Sequence, residues 1–223
     1  MNFLLIGCNG KMGESVARIA KEYGDTIVCG VDVHSGENNF PIYTSVDNIK
    51  ETFDAIIDFS TTENHLPFIK MAKIKRVPYG LFSTVTDDDT LKYLKIAAKF
   101  IPILHCRNTS VGANVLFDIV KLCAQSIDKF DCAITEFHHK TKLDNPSGTA
   151  KEIENILKTN KANFETHAFR VDGEVGRHSI DLFLADEHLT ITHQAHSRDV
   201  FARGAIIAMH KLNKKKKGLY FKP

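Results

Sequence analysis

Apolar residues in the first hundred positions fall in short runs, and the runs are separated by segments with helical spacing. Phe3 to Ile6 make one run, which ends at Gly7. Met12, Val16, Ile19, Ala20 and Tyr23 then recur at the three- and four-residue intervals of a helix face. Thr26 to Val31 ends in Asp32, Ala55 to Ile57 ends in Asp58-Phe59-Ser60, and Val77 to Phe82 precedes a helical pattern over Leu91 to Lys99 and a run from Ile101 to His105. Strands alternating with helices predict an α/β fold with a Rossmann-type, doubly wound parallel sheet, in which ligands gather at the carboxyl ends of the strands.

The pattern changes near Ser110. A helix over Val111 to Gln125 leads to a strand at Cys132 to Phe137 and to a second helix beginning near Thr149. Three apolar runs come next, Phe164 to Val171, Ser179 to Asp186 and Leu189 to Ala195, and their short polar links predict an antiparallel meander. A helix over Val200 to Leu212 comes last. The chain thus divides into a dinucleotide-binding domain over residues 1–109 and a mixed α+β domain over residues 110–199.

Composition narrows the function classes. Over 223 residues the charges nearly cancel, to a formal +2, so nothing calls for a nucleic acid or an anionic membrane as partner. The basic run Lys214 to Lys217 reads as a solvated tail behind the last helix. Five scattered cysteines without C-x-x-C spacing imply a reducing, cytoplasmic setting. No apolar stretch approaches the roughly 18 residues of a membrane span, and the run ending at Cys8 is too short for a signal peptide.

Two segments carry candidate chemistry. Gly7-Cys8-Asn9-Gly10-Lys11-Met12-Gly13 comes directly after the first strand and opens the first helix, where a dinucleotide turn must lie. Gly7 suits the tight turn, Gly10 the close approach of a pyrophosphate, and Gly13 the packing of helix on strand. Asn9 replaces the middle glycine of the commoner pattern, as a residue that enters left-handed backbone more readily than most. Asp32 stands about 20 residues on, at the end of the second strand, where a carboxylate binds ribose hydroxyls. The competing reading is a turn of this shape needed only for folding.

The second segment, Glu136 to Ala150, holds His138, His139, Lys140, Lys142 and a helix start. Thr149 and Glu152 have capping-box spacing, so the helix presents N–H groups to an anion, and Lys142 adds a positive charge. Such a site suits a carboxylate, and His138 or His139 could donate a proton near neutral pH. The alternatives are a cap and a strand end with no chemistry, or a metal site. Adjacent histidines on a strand point to opposite faces and no third ligand stands at zinc-like spacing beyond them, so no metal is expected.

Together, Gly7 to Gly13, Asn108-Thr109-Ser110-Val111-Gly112-Ala113-Asn114, the H-H-x-x-K and D-x-P-S-G-T pattern of residues 138–149, Gly173 to His178 and Ser197 to Ala205 resemble the dihydrodipicolinate reductase family. The resemblance implies a Rossmann domain completed by residues 200–223, a substrate and oligomerisation domain, and a homotetramer. It implies NAD(P)H-dependent reduction of dihydrodipicolinate, or of 4-hydroxy-tetrahydrodipicolinate, in lysine and diaminopimelate biosynthesis. By motif position His138 and Lys142 are catalytic, and His139, Ser147, Gly148 and Thr149 hold the substrate's carboxylate. Gly7, Asn9, Gly10, Lys11, Met12, Gly13, Asp32, Gly80, Phe82 and Asn108 bind the cofactor. Asp32 followed by Val33, where NADPH-using members often have Arg, implies NADH as the preferred cofactor, with NADPH possible. Members usually have Gly-Thr-Thr-Gly where Gly80-Leu81-Phe82-Ser83 stands, and Phe where Thr109 stands. These departures imply a nicotinamide pocket of different shape, with Phe82 as an apolar wall. They also keep open a dinucleotide-sensing regulatory protein that retained the fold without turnover, and a related reductase for another small carboxylate.

Overall fold

The first strand, β1 (Asn2–Ile6), is buried on both faces, with Phe3, Leu4, Leu5 and Ile6 at most 1% exposed. Alternation along it sends Phe3 and Leu5 to one core and Leu4 and Ile6 to another, as the middle strand of a covered parallel sheet requires. The computed structural model describes residues 1–34, 36, 38–60, 65–83 and 86–223. They form two units, Met1–Thr109 with Phe201–Pro223, and Ser110–Val200.

The first unit continues from β1 with α1 (Lys11–Glu22), β2 (Thr26–Val31), β3 (Ile42–Tyr43), β4 (Ala55–Asp58), α2 (His65–Lys75), β5 (Tyr79–Leu81), α3 (Asp88–Ala97) and β6 (Pro102–His105). The apolar residues of α2 do not gather on one stripe, and Pro67 lies in its first turn, so helical periodicity is weak there. At the other end of the chain, α6 (Asp199–Leu212) buries Ala205, Ile206, Met209 and Leu212 against Phe3 and Leu5, and β11 (Gly218–Tyr220) pairs with β6. The lysine run is exposed as expected, but the residues after it form a strand rather than a tail. All seven strands pair in parallel, in the order β11-β6-β5-β4-β1-β2-β3. The chain runs outward from β1 in both directions, so the order reverses between β1 and β4, the switch point at which such sheets bind ligands.

The second unit holds α4 (Val111–Ser126), β7 (Asp131–His138), α5 (Gly148–Thr159), β8 (Asn163–Arg170), β9 (Gly176–Phe183) and β10 (His188–Ala195). Its sheet order is β10-β9-β7-β8. The expected three-stranded meander is therefore corrected. Only β9 and β10 form a hairpin, while β8 lies parallel to β7 on the far side of it. The reason is the connection: α5 supplies the long crossover that a parallel pair needs, and β7 then occupies the place beside β9. One sheet face packs Cys132, Ile134, Ile180 and Leu182 against Leu116, Val120, Ile153 and Leu157 of the two helices.

Candidate active site

In the first unit the turn after β1 is built as a phosphate cradle would be. Gly7 has φ +74 and donates from N to Val31 O at 2.8 Å. A Cβ on Gly13 would lie 2.3 Å from Gly7 O and 2.6 Å from Cys8 Cα, so only glycine lets α1 start this close to β1. Gly10 is the N-cap of α1 and offers no side chain to the N–H groups of Lys11 and Met12, which keeps that helix end open to an anion. Asn9 is corrected: its backbone is not left-handed. Instead its amide Nδ2 donates to His34 O at 2.7 Å and its Oδ1 accepts from Asn38 at 3.1 Å, tying the turn to the segment after β2. Asp32 accepts from Asn9 N at 2.9 Å and from His34 N at 3.3 Å, so its carboxylate is fixed beside the turn.

Next to this turn, the carboxyl end of β4 carries a polar cluster that sequence reasoning did not single out. Buried Asp58 accepts from Ser60 N and Oγ at 2.8 and 2.6 Å and from the Tyr79 hydroxyl, and it lies 3.2 Å from His65 Nδ1. These bonds hold the β4 turn against Gly7, whose Cβ would meet Phe59 C and Ser60 N at 3.2 Å. Gly80 is pressed against α6, where a Cβ would lie 2.5 Å from Met209 Sδ. Phe82 is 4% exposed, and its ring folds over Gly80 and against Phe59, centroids 5.2 Å apart. Thr109 is buried and donates to Phe201 O at 2.6 Å, while Asn108 O accepts from Cys106 Sγ at 3.0 Å.

In the second unit the start of α5 differs from the sequence expectation. The cap is Ser147, whose hydroxyl accepts from Ala150 N at 3.2 Å; Thr149 lies inside the first turn, so it forms no capping box with Glu152. Ser147 wins because it also donates from N to Glu136 Oε1 at 2.9 Å and meets His178 Nε2 at 3.1 Å, bonds that anchor the turn to the sheet. With both groups engaged and 1% exposure, Ser147 holds the frame of the site. Asp144 takes the anion position outside the helix. Its carboxylate lies 2.7 Å from Lys142 Nζ and accepts from Gly148 N at 3.1 Å. Burial would raise its pKa, but Lys142 outweighs that and lowers it.

His138 ends β7, buried, with Nδ1 3.3 Å from Glu136 Oε2. The same oxygen lies 3.4 Å from His178 Nε2. Arg170 donates to Glu136 Oε1 at 3.2 Å and to Asp144 O at 2.6 Å. Burial acts to raise the Glu136 pKa, yet bonds from His138, His178 and Ser147 hold the carboxyl well below the usual carboxylate range. Burial likewise lowers His178. Glu136, His138 and His178 also form a group that could hold a metal ion, with ligand atoms within 4.8 Å of one another. Sequence spacing does not disclose this group, because its third member comes from β9 rather than from the motif. His139 turns the other way, to Thr141 Oγ1 at 2.8 Å and Arg198 at 3.5 Å.

Known proteins place this arrangement. A family profile described as dihydrodipicolinate reductase, N-terminus, matches residues 1–109, and one described as dihydrodipicolinate reductase, C-terminus, matches residues 112–222. The chain belongs to the dihydrodipicolinate reductase family. A curated 4-hydroxy-tetrahydrodipicolinate reductase from Caldanaerobacter subterraneus subsp. tengcongensis is 36% identical, covering 99% of this chain and 96% of that protein. One from Staphylococcus saprophyticus is 35% identical, with 99% and 98% covered. The structure of a dipicolinate-bound dihydrodipicolinate reductase from Paenisporosarcina matches with a TM-score of 0.81 at 17% identity, over 100% of this chain and 97% of that one, which shows the common fold.

As a dihydrodipicolinate reductase family member the chain binds a nicotinamide dinucleotide, and the open α1 terminus, the Gly7 to Gly13 turn and Asp32 fit that group. Also in that unit, His105 ends β6, buried, with Nε2 3.0 Å from Thr86 Oγ1. Burial first, then the charges of Arg107 and His65, lower it from 6.5 to about 4. A histidine kept neutral in the fold leaves stability intact above about pH 6.5 and withdraws it as the pH falls towards 4, where the unfolded chain binds the proton and the fold does not. His105→Asn should therefore flatten the fall in unfolding free energy across that window, by up to ~1.4 kcal/mol per pH unit, and with it the fall in melting temperature. Parallel melting curves for parent and variant would exclude this contribution.

Proposed function

We propose that this protein reduces dihydrodipicolinate, formed by loss of water from 4-hydroxy-tetrahydrodipicolinate, to tetrahydrodipicolinate in lysine and diaminopimelate biosynthesis. The observation that carries the reading is the buried His138 on its carboxylate, with Lys142 and the α5 terminus close behind it, in a chain whose whole length matches reductases named for this substrate. A reduced nicotinamide, when bound, supplies the hydride that the ring takes at C4. The adjacent carbon is then enamine-like and needs one proton. His138 gives it, since an imidazolium is an acid strong enough to act near neutral pH. Lys142, His139, Gly148 and Thr149 hold a substrate carboxylate. Asp144 supports that assignment, because its own carboxylate already bridges Lys142 and the Gly148 N–H. The intact acid cluster speaks against a sensor without turnover.

The cofactor is NADH in preference to NADPH. Asp32 can accept hydrogen bonds from a ribose 2′-hydroxyl and would repel a 2′-phosphate, and exposed Val33 supplies no cation to offset that. The protein acts as a homotetramer in the cytoplasm. Five cysteines, none in a disulfide, fit a reducing compartment, and among the described residues no helix is long and apolar enough to cross a membrane. The sheet face away from α4 and α5 supports assembly through it: Phe137 and Phe169 stack there at 5.0 Å, and Phe169 and Phe183 are each 47% exposed.

His138→Ala and Lys142→Ala should each lower turnover of freshly made dihydrodipicolinate at least about a hundredfold while NADH binding stays nearly unchanged. Turnover within a few-fold of the parent in either variant would remove that residue from the mechanism. Titration should show NADH binding more tightly than NADPH, with Val33→Arg shifting the balance towards NADPH; tighter NADPH binding by the parent would reverse the assignment. Light scattering should give four times the 25.0 kDa chain mass, and Phe169→Glu should lower it. A parent that runs as a single chain would contradict the tetramer.

A further inference from the structure

Glu136 and His138 stand two residues apart on β7, so their side chains share a face, and it is the face that carries Cys132 and Ile134 into the core. A carboxylate there, 0% exposed, costs free energy unless it is fully paired. One of its oxygens is consumed by structure: Oε1 receives Ser147 N and Arg170. The other oxygen, Oε2, faces two imidazoles, His138 Nδ1 at 3.3 Å and His178 Nε2 at 3.4 Å.

We infer that Glu136 is the positioning residue of the acid: its Oε2 accepts the Nδ1 proton of His138 and so leaves Nε2 as the nitrogen that gives its proton to the substrate. The inference rests on the reading of His138 as proton donor. The two atoms are within reach at 3.3 Å but not aligned as a hydrogen bond, as catalytic contacts often are before substrate is present. A bond at one ring nitrogen sets which nitrogen is protonated, so the carboxylate fixes the tautomer to which the ring returns after donating. His178 does not compete for the charge, because burial favours its neutral form and its Nε2 also meets the Ser147 hydroxyl.

The opposite side of the ring is kept clear by an absent side chain. A Cβ on Gly176 would lie 3.0 Å from His138 Nε2 and 3.2 Å from Cδ2. Gly176 does not have the positive φ that would by itself demand glycine. What its lack of a side chain provides is room at Nε2. A bound cation is the rival explanation for the same three groups, but Arg170 already shares the carboxylate and the Lys142 charge acts on His178, so a dication would meet two positive neighbours. A proton on Nδ1 satisfies the cluster without adding a second charge.

Histidine labelled with ¹⁵N tests this without turnover. At alkaline pH, where imidazoles are neutral, long-range ¹H–¹⁵N correlation of the parent should show His138 with its proton on Nδ1, the signals being assigned by their loss in His138→Gln. A neutral His138 carrying its proton on Nε2 overturns the role of Glu136, whether or not His138 is the acid; the His138→Ala assay decides that separately. Glu136→Gln should abolish the Nδ1–H signature and lower turnover at least about a hundredfold, with pyridine-2,6-dicarboxylate affinity held within about threefold. Turnover within threefold of the parent would overturn the inference. Should Glu136→Gln not fold, Gly176→Ala gives the second reading. It should lower turnover at least tenfold while the Nδ1–H signature persists, and unchanged turnover there would mean that Nε2 is not the donating nitrogen.

Discussion

Parallel strand pairing is the constraint on which the candidate binding turn of each unit depends. Neighbouring parallel strands cannot be joined by a tight turn, so each pair needs a crossover, and a helix is the usual means. The crossover leaves a strand at its carboxyl end and enters a helix at its N-terminus, bringing free N–H groups and the positive end of a dipole to one place. It happens here at β1 to α1, which makes the Gly7 to Gly13 turn, and again at β7 to α5, which makes the His138 to Gly148 segment. The two turns are capped differently. Gly10 leaves α1 open, whereas Ser147 caps α5 with its hydroxyl and Asp144 lies over the Gly148 N–H. An open terminus suits a large phosphate group, and a terminus already sharing a carboxylate with a lysine suits exchange of one carboxylate for another.

The β7 turn carries a further demand, since Glu136 puts a charge inside an apolar face. Its neighbours meet that demand from four directions: Ser147 from α5's cap, Arg170 from β8, His178 from β9 and His138 from its own strand. Each donor belongs to β7 itself or to an element next to it in the sheet or the crossover, so the pairing order of the sheet and the pairing of the charge are the same fact seen twice. A strict meander would pair β9 with β8 as well as β10, move it away from β7 and take His178 from the carboxylate.

How far the sequence discloses this depends on the range of the interactions. β2 matches its apolar run from end to end, and β1 and β4 lie within a residue of theirs, because burial on both faces writes a continuous signal. The place of β8 is not legible, since strand partners are set by distant elements and short polar links look alike in a hairpin and a crossover. Spacing alone points to Thr149 as the cap, and the bonds to Glu136 and His178 give that place to Ser147 instead. Glu136 left a usable trace, a charged residue two before His138 on a strand whose other alternate positions are Cys132 and Ile134. His178 is marked only as the end of the Gly173 to His178 segment of the resemblance, and its place beside Glu136 is set by the register of β9 against β7.

The departures around Gly80 are best understood from packing as well. Leu81 points into one core, with Ile56 and Leu94, and Phe82 points into the other, with Met209 and Leu104. Phe82 lays its ring over Gly80, where α6 comes too close for any side chain, and Thr109 spends its hydroxyl on the α6 carbonyl of Phe201. The two departures therefore meet at the same helix. An apolar side chain at 82 fills space beside α6 while a small hydroxyl at 109 bonds to its backbone, so the exchange is one of core volume and anchoring. Phe82, expected to line the nicotinamide pocket, is turned into the core, and its N–H bonds to Asp58 O at 2.8 Å. The family's threonines are absent from a place where this chain has given the side chains to the interior.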